Sequence, residues 1–164
     1  MPQDDLHTNS QHLVLLIDDD PNIQQTVVAC LLQERHISII GAVDGKTARA
    51  LINENAFDLI LLDLGLPDIE GLTLLRQLKE DPQTADIPVF LLTGRSTVKE
   101  KVEAFDLGAT DYLTKPFAAA ELRVRINSVL TAKRTHDELL RANDELISAR
   151  AQAEAGAAAR GRAS

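Results

Sequence analysis

The amino-acid sequence predicts an α/β protein: a doubly wound sheet of five parallel strands, continued by an extended C-terminal helix. Two apolar runs, residues 13–17 and 59–62, are short, contain no polar residue and end in carboxylates, Asp18, Asp19 and Asp20 after the first and Asp63 after the second. A strand buried on both faces reads this way when its C-terminal tip meets solvent. Stretches with helical spacing of apolar residues separate these runs from three more, and every parallel return needs such a crossover. At 164 residues the chain is long enough for one domain with an adequate core and an appendage.

Each element carries its own signal. Residues 1–12 are polar, lack an apolar run long enough for a signal peptide and are expected to be disordered, which places the domain at 13–130. The strand at 13–17 precedes a helix over about 21–35, with Asp20 as N-cap and Pro21 at the first helical position. A strand at 37–43 leads to a helix opened by Asp44 and carrying Ala48, Leu51, Ile52 and Ala56. After the strand at 59–62 and the turn Leu66-Pro67-Asp68, a helix presents Leu72, Leu75 and Leu78 and stops near Asp81-Pro82. The fourth strand is 89–92, the fourth helix about 97–107 with Gly108 at its end, and the fifth strand 111–113. From about residue 118 a fifth helix meets no breaker before Gly156, so residues 131–164 read as a helical linker beyond the domain.

Helices on both faces of five strands favour the order 2-1-3-4-5, the flavodoxin-like arrangement, in which the first and third strands lie side by side where the winding reverses. Open sheets bind ligands beyond the strand tips at that point. Asp18, Asp19 and Asp63 converge there. Gathered carboxylates repel one another and are driven to protonate unless a hard cation such as Mg²⁺ (or Mn²⁺) and an ammonium neutralise them. Lys115, in Thr114-Lys115-Pro116-Phe117, supplies the ammonium, and the combination points to phosphoryl transfer.

Composition narrows the setting. Residues 1–117 hold 9 Lys and Arg against 19 Asp and Glu, and residues 118–164 hold 8 against 6. The acidic front argues against a basic nucleic-acid face, and the excess in the tail is too small to make one. Cys30 is the single cysteine, so no internal disulfide forms and a reducing cytoplasm is the natural compartment. Its apolar neighbours make it a buried helix residue. No segment approaches the length of a membrane span.

The residues also carry a family resemblance. Leu16-Ile17-Asp18-Asp19-Asp20-Pro21, Leu62-Asp63-Leu64-Gly65-Leu66-Pro67, Leu92-Thr93-Gly94 and the stretch from Gly108 through Asp111-Tyr112-Leu113-Thr114-Lys115-Pro116-Phe117 resemble the receiver domain of two-component response regulators over roughly residues 12–130. The resemblance implies that Asp63 accepts a phosphoryl group from a phosphohistidine on a histidine kinase or phosphotransfer protein. It implies that Asp19, Asp63 and the main-chain carbonyl of Gly65 hold Mg²⁺ with support from Asp18, and that Lys115, preceding a cis Pro116, pairs with a phosphoryl oxygen. Thr93 would donate its hydroxyl to the phosphoryl group and Tyr112 would turn inward as Thr93 moves, signalling through the fourth helix, fifth strand and fifth helix. Gly65 and Arg95 occupy positions that flank the phosphoryl group.

Other classes fit parts of the pattern. Asp18 and Asp20 form the D-x-D of a haloacid-dehalogenase-like phosphatase, with Asp18 as nucleophile and Asp20 as acid, although Asp20 also reads as a plain helix cap. A phosphorylation-independent interaction module is a third reading. Flavin binding would need a Ser/Thr/Gly-rich loop after the first strand, which the chain lacks.

In the tail, Leu122, Ile126, Val129, Lys133, His136, Leu140, Asn143 and Ile147 follow a four-three spacing, the seam of a parallel homodimer with polar residues at some positions. A solvated helix with scattered apolar residues has the same composition. His136 lacks the pattern around a kinase's phosphoaccepting histidine. Residues 151–164 resemble the linker entering the dimerisation helix of hybrid histidine kinases, as expected of an N-terminal receiver of such a protein; a diguanylate cyclase or other output domain is an equal candidate to follow, and a free-standing single-domain regulator is the remaining reading.

Overall fold

Capping residues set the helix boundaries. In the computed structural model, which describes residues 11–94 and 97–162, the elements are β1 (His12–Ile17), α1 (Pro21–Leu31), β2 (Ile37–Ala42), α2 (Gly45–Glu54), β3 (Leu59–Leu62), α3 (Gly71–Glu80), β4 (Val89–Thr93), α4 (Val98–Asp106), β5 (Asp111–Thr114) and α5 (Ala119–Arg162). Asp20 Oδ1 accepts from the Asn22 N–H at 2.8 Å and Asp44 Oδ1 from the Thr47 N–H at 2.7 Å, opening α1 and α2. At α4 the Thr97 hydroxyl and the Glu100 carboxylate form a reciprocal capping box. Gly108, at φ +107°, closes α4. The Gly108 N–H bonds to the Phe105 carbonyl and the Ala109 N–H to the Ala104 carbonyl, the paired pattern that a left-handed residue permits.

The five strands are parallel in the order β2-β1-β3-β4-β5, as the sequence predicts. The pleat divides the core. Val14, Leu16, Leu59, Leu61, Phe90 and Leu92 face α1 and α5, whereas Leu15, Ile17, Ile60, Leu62, Val89 and Leu91 face α2, α3 and α4. Every residue of β3 is buried, which is why that strand shows an unbroken apolar run rather than alternation.

Several boundaries differ from the sequence reading. β1 begins at His12, within the segment expected to be disordered, because the His12 N–H reaches the His36 carbonyl at 2.7 Å and pairs the strand with Ile37. Residues 1–10 of that segment lie outside the described residues. α1 ends at Leu31 rather than near residue 35, since a tight turn bonding Glu34 to Leu31 and Ile37 to Glu34 must deliver the chain to β2. α3 buries Gly71, Leu74, Leu75 and Leu78. Its buried face thus includes Leu74, which a ladder of three-residue steps through Leu72 misses, because 3.6 residues per turn favours alternating steps of three and four. α5 runs through Gly156, so that glycine does not break the helix.

The chain divides into two compact units, residues 1–130 and 131–164, with the boundary inside α5. In the first unit, Leu122, Ile126, Val129 and Leu130 are buried with the β1 and β3 side chains. This corrects the expected seam: Leu122, Ile126 and Val129 fill the domain's own core and have no surface left for a second copy. Arg125 fixes the start of α5, bonding the Asp111 carboxylate and the Tyr112 carbonyl, each at 3.1 Å. In the second unit residues 138–162 are exposed throughout.

Candidate functional site

Backbone bonds at the strand ends place the acidic tips. The Asp18 N–H donates to the Ala42 carbonyl at 3.0 Å, holding the tip of β1 to β2, and the Asp63 N–H donates to the Ile17 carbonyl at 2.9 Å, so the residues after β1 and β3 leave the sheet side by side. Asp18, Asp19 and Asp63 each offer a carboxylate oxygen, all within 4.8 Å of one another. The Asp18 side chain is fully buried. Its Oδ2 accepts from Lys115 Nζ at 2.6 Å and its Oδ1 from the Asp20 N–H at 2.9 Å. Lys115 Nζ also stands 3.5 Å from Asp63 Oδ1. The Lys115–Pro116 bond is cis, and a 2.8 Å bond from the Lys115 N–H to the Thr93 carbonyl holds that lysine at the tips of β4 and β5.

Opposing influences act on the Asp63 carboxyl. Burial raises its pKa above the ordinary carboxylate value and the neighbouring Asp18 charge adds to the rise, while the Lys115 ammonium and the Gly65 N–H oppose it. An all-oxygen set of three carboxylates suits a hard divalent cation such as Mg²⁺, which would relieve the same repulsion.

Asp63 also opens onto a cavity of about 420 Å³, lined further by Gly65, Glu70, Thr93, Gly94 and Glu100. A Cβ on Gly65 would stand 3.7 Å from Asp63 Oδ2, so the glycine leaves one flank of the carboxylate uncovered. Thr93 ends β4 and is buried. Tyr112 lies on β5, paired with Leu91, with its ring edge-on to Phe105 at 5.8 Å and Lys101 Nζ 4.5 Å from its centroid. It packs with the helical face of α4 and does not line the cavity. Asp20 is exposed and its carboxylate caps α1. The D-x-D reading therefore lacks its acid. Arg95 lies outside the described residues.

Sequence reasoning missed three side chains. Gln24 Nε2 donates to the Asp18 carbonyl at 3.0 Å and the Ala42 carbonyl at 3.1 Å, tying the tips of β1 and β2 beneath the acidic cluster. A side chain at Gly41 would collide with its amide, and a glycine within a strand was the available signal. Glu100 stands three residues after Thr97, the spacing of a capping box, so its capping role was legible whereas its place on the cavity wall was not. Glu70 gave no signal, since only the fold of the loop after β3 carries it to the cavity.

A family model for the response regulator receiver domain matches residues 14–127. The DNA-binding dual master transcriptional regulator RpaA of Synechocystis is 43% identical over 117 residues, 71% of this chain and 48% of that protein. A probable cyclic di-GMP phosphodiesterase of Vibrio cholerae is 36% identical over 137 residues, 84% of this chain and 31% of that protein. The chain thus spans about half or less of the length of these relatives. The crystal structure of a response regulator receiver domain protein (CheY-like) from Methanospirillum hungatei aligns with a TM-score of 0.72 at 26% identity, covering 77% of this chain and 99% of that one.

Proposed function

This chain belongs to the response regulator receiver domain family, phosphoaccepting modules of two-component systems, and we propose that Asp63 is the residue that takes the phosphoryl group. One observation carries the assignment: of the three clustered carboxylates, Asp63 is the one that lines the cavity, while Asp18 is buried and paired with Lys115. A phosphohistidine presented at the cavity meets the Asp63 carboxylate oxygen. That oxygen bonds to phosphorus as the P–N bond breaks, and the electron pair leaves with the imidazole nitrogen of the donor.

The other residues have positioning and charge roles in this reading. Lys115, between Asp18 and Asp63, is placed to pair with a phosphoryl oxygen on Asp63. The Thr93 hydroxyl borders the same cavity and would donate to a second oxygen. Asp18, Asp19 and Asp63, with the Gly65 carbonyl, would hold Mg²⁺, which when bound supplies positive charge against the carboxylates and the phosphoryl oxygens. Tyr112 on the strand beside Thr93 would couple the site to α4, β5 and α5.

The donor in this reading is a histidine kinase or phosphotransfer protein in the cytoplasm. The acidic front of the chain disfavours nucleic acid as a partner of this segment, and no helix among the described residues is long and apolar enough to cross a membrane. In the second unit, the exposed Leu139, Leu140, Leu146 and Ile147 support weak parallel self-pairing of the tail toward an output domain. A small phosphodonor with Mg²⁺ should label Asp63 in the intact chain, as mapped by mass spectrometry. Label that persists in Asp63→Asn, or that accumulates equally without Mg²⁺, would sink the assignment.

A further inference from the structure

We infer that Glu70 and Glu100, the two glutamates on the wall of the Asp63 cavity, select the phosphodonor by charge, favouring donors with a protonated nitrogen leaving group over dianionic acyl phosphates. The inference rests on Asp63 as the acceptor. Glu70 and Glu100 line the same cavity of about 420 Å³ as Asp63, and no cationic side chain is among the described residues lining it. Lys115, the ammonium of the site, is divided between Asp18 at 2.6 Å and Asp63 at 3.5 Å.

The two glutamates differ in how they are held. Glu100 is fixed by the capping box, its carboxylate accepting from the Thr97 N–H at 3.0 Å and its own N–H donating to the Thr97 hydroxyl at 3.1 Å. Glu70 is at the N-cap position of α3, yet its side chain makes no cap hydrogen bond, and it is exposed. Its carboxylate therefore stands at the solvent-exposed rim of the cavity, with no hydrogen-bond or ion-pair partner among the described residues. Gly65 and Gly94 line the cavity as well and bring no side chain to it.

The cavity is comparable in size with the screening length of about 8 Å at physiological ionic strength, so a donor inside it feels both charges. Donor chemistry determines how strongly. Acetyl phosphate enters as a dianion; when the Asp63 oxygen bonds to phosphorus and the P–O bond breaks, the electron pair leaves on acetate, a second anion that must exit past the glutamates. Phosphoramidate enters with a protonated nitrogen and one net negative charge; its P–N bond breaks, the pair stays on nitrogen, and neutral ammonia leaves. A protonated phosphohistidine behaves like the second donor. Repulsion thus penalises the acyl phosphate more than the P–N donor at every stage.

The test compares rates of aspartyl phosphate formation in the intact chain, Glu70→Gln, Glu100→Gln and the double variant, with acetyl phosphate and with phosphoramidate, at saturating Mg²⁺ and at two ionic strengths. Gln at position 100 keeps the capping box, and Glu70 has no capping role to lose. The double variant should gain roughly 5-fold with acetyl phosphate and no more than about 2-fold with phosphoramidate, and high salt should shrink the difference. Equal changes with both donors, no change with either, or a ratio insensitive to salt would overturn the inference while leaving Asp63 as acceptor. Failure of the unaltered chain to take label at Asp63 from either donor would overturn the acceptor assignment itself, and this inference with it.

Discussion

Lys115 and Lys79 are the same chemical group in two different surroundings. Lys115 meets two carboxylates, and its charge is required to hold them together. Lys79 meets carbonyls, donating to Ala85 at 3.1 Å and Ile87 at 2.7 Å, and it steadies the connection from α3 to β4. Burial lowers the Lys79 pKa below the ordinary lysine value, with Asp86 opposing the shift. A depressed lysine pKa means the unfolded chain binds the proton more tightly than the folded one. Stability contributed at this site therefore rises as pH rises through the alkaline window below 10.5 and is at its lowest at and below neutrality, where both states are protonated. Urea denaturation of the intact chain against Lys79→Met should show the intact chain gaining on the variant between neutral pH and that window, by less than about 1 kcal/mol after solvent screening. A constant difference across pH would contradict it.

At the scale of elements, the loop after β3 is held at both ends. Gly65 pairs with Glu70 in an isolated bridge, and Asp68 accepts from the Gly45 N–H at 2.9 Å and the Lys46 N–H at 3.0 Å at the start of α2. These bonds also lower the Asp68 pKa, the Gly45 bond most. The side carrying α4 and β5 is held differently, by the Phe105–Tyr112 ring contact and the Lys101 ammonium over the Tyr112 ring. Such contacts can be remade at low cost. Beryllofluoride with Mg²⁺ should therefore alter amide exchange over residues 97–117 by several-fold, and Thr93→Ala should abolish the change while leaving exchange in β1 and β3 unaffected. Changes confined to the acidic pocket would refute the coupling of Thr93 to Tyr112. Of these elements, the strands and the caps at Asp20, Asp44 and Gly108 were legible in the sequence because their signals are local. The end of α1 and the buried face of α3 were not, since each depends on where a neighbouring strand must begin or lie.

Across the whole molecule, α5 serves two units with different requirements. Residues 119–130 contribute Leu122, Ile126, Val129 and Leu130 to the core, whereas the second unit relies on intrahelical pairs, Lys133–Asp137 at 2.7 Å, Arg134–Glu138 at 3.3 Å and Arg150–Glu154 at 3.1 Å. Such pairs stabilise a helix by about 0.2–0.5 kcal/mol each, and Gly156 and Gly161 each cost about 1 kcal/mol relative to Ala. A solvated helix of that composition gains from a partner. Pairing confined to the second unit, through Leu140 and Ile147 with His136 and Asn143 in the seam, should give a dimer of roughly micromolar to millimolar affinity. Sedimentation of the intact chain against a Leu140→Glu, Ile147→Glu variant measures it. Monomers of both at high micromolar concentration, with and without beryllofluoride, would leave the tail unpaired.

The sequence by itself determined the strand order and the acidic centre. Buried parallel strands leave unbroken apolar runs, and Asp18, Asp19, Asp63 and Lys115 stand immediately beyond such runs or within a motif at their end. It equally determined that Asp20 could serve as a cap, because its bond to Asn22 spans two residues. Tertiary structure decided the rest. Whether Leu122, Ile126 and Val129 face a core or a second copy depends on which helix face lies on the sheet, and a four-three spacing satisfies both. That Gln24 ties β1 to β2, and that Glu70 and Glu100 share a cavity with Asp63, depends on contacts between segments far apart in the chain. Local periodicity carries no record of such contacts; the packing of helices on a twisted sheet creates them.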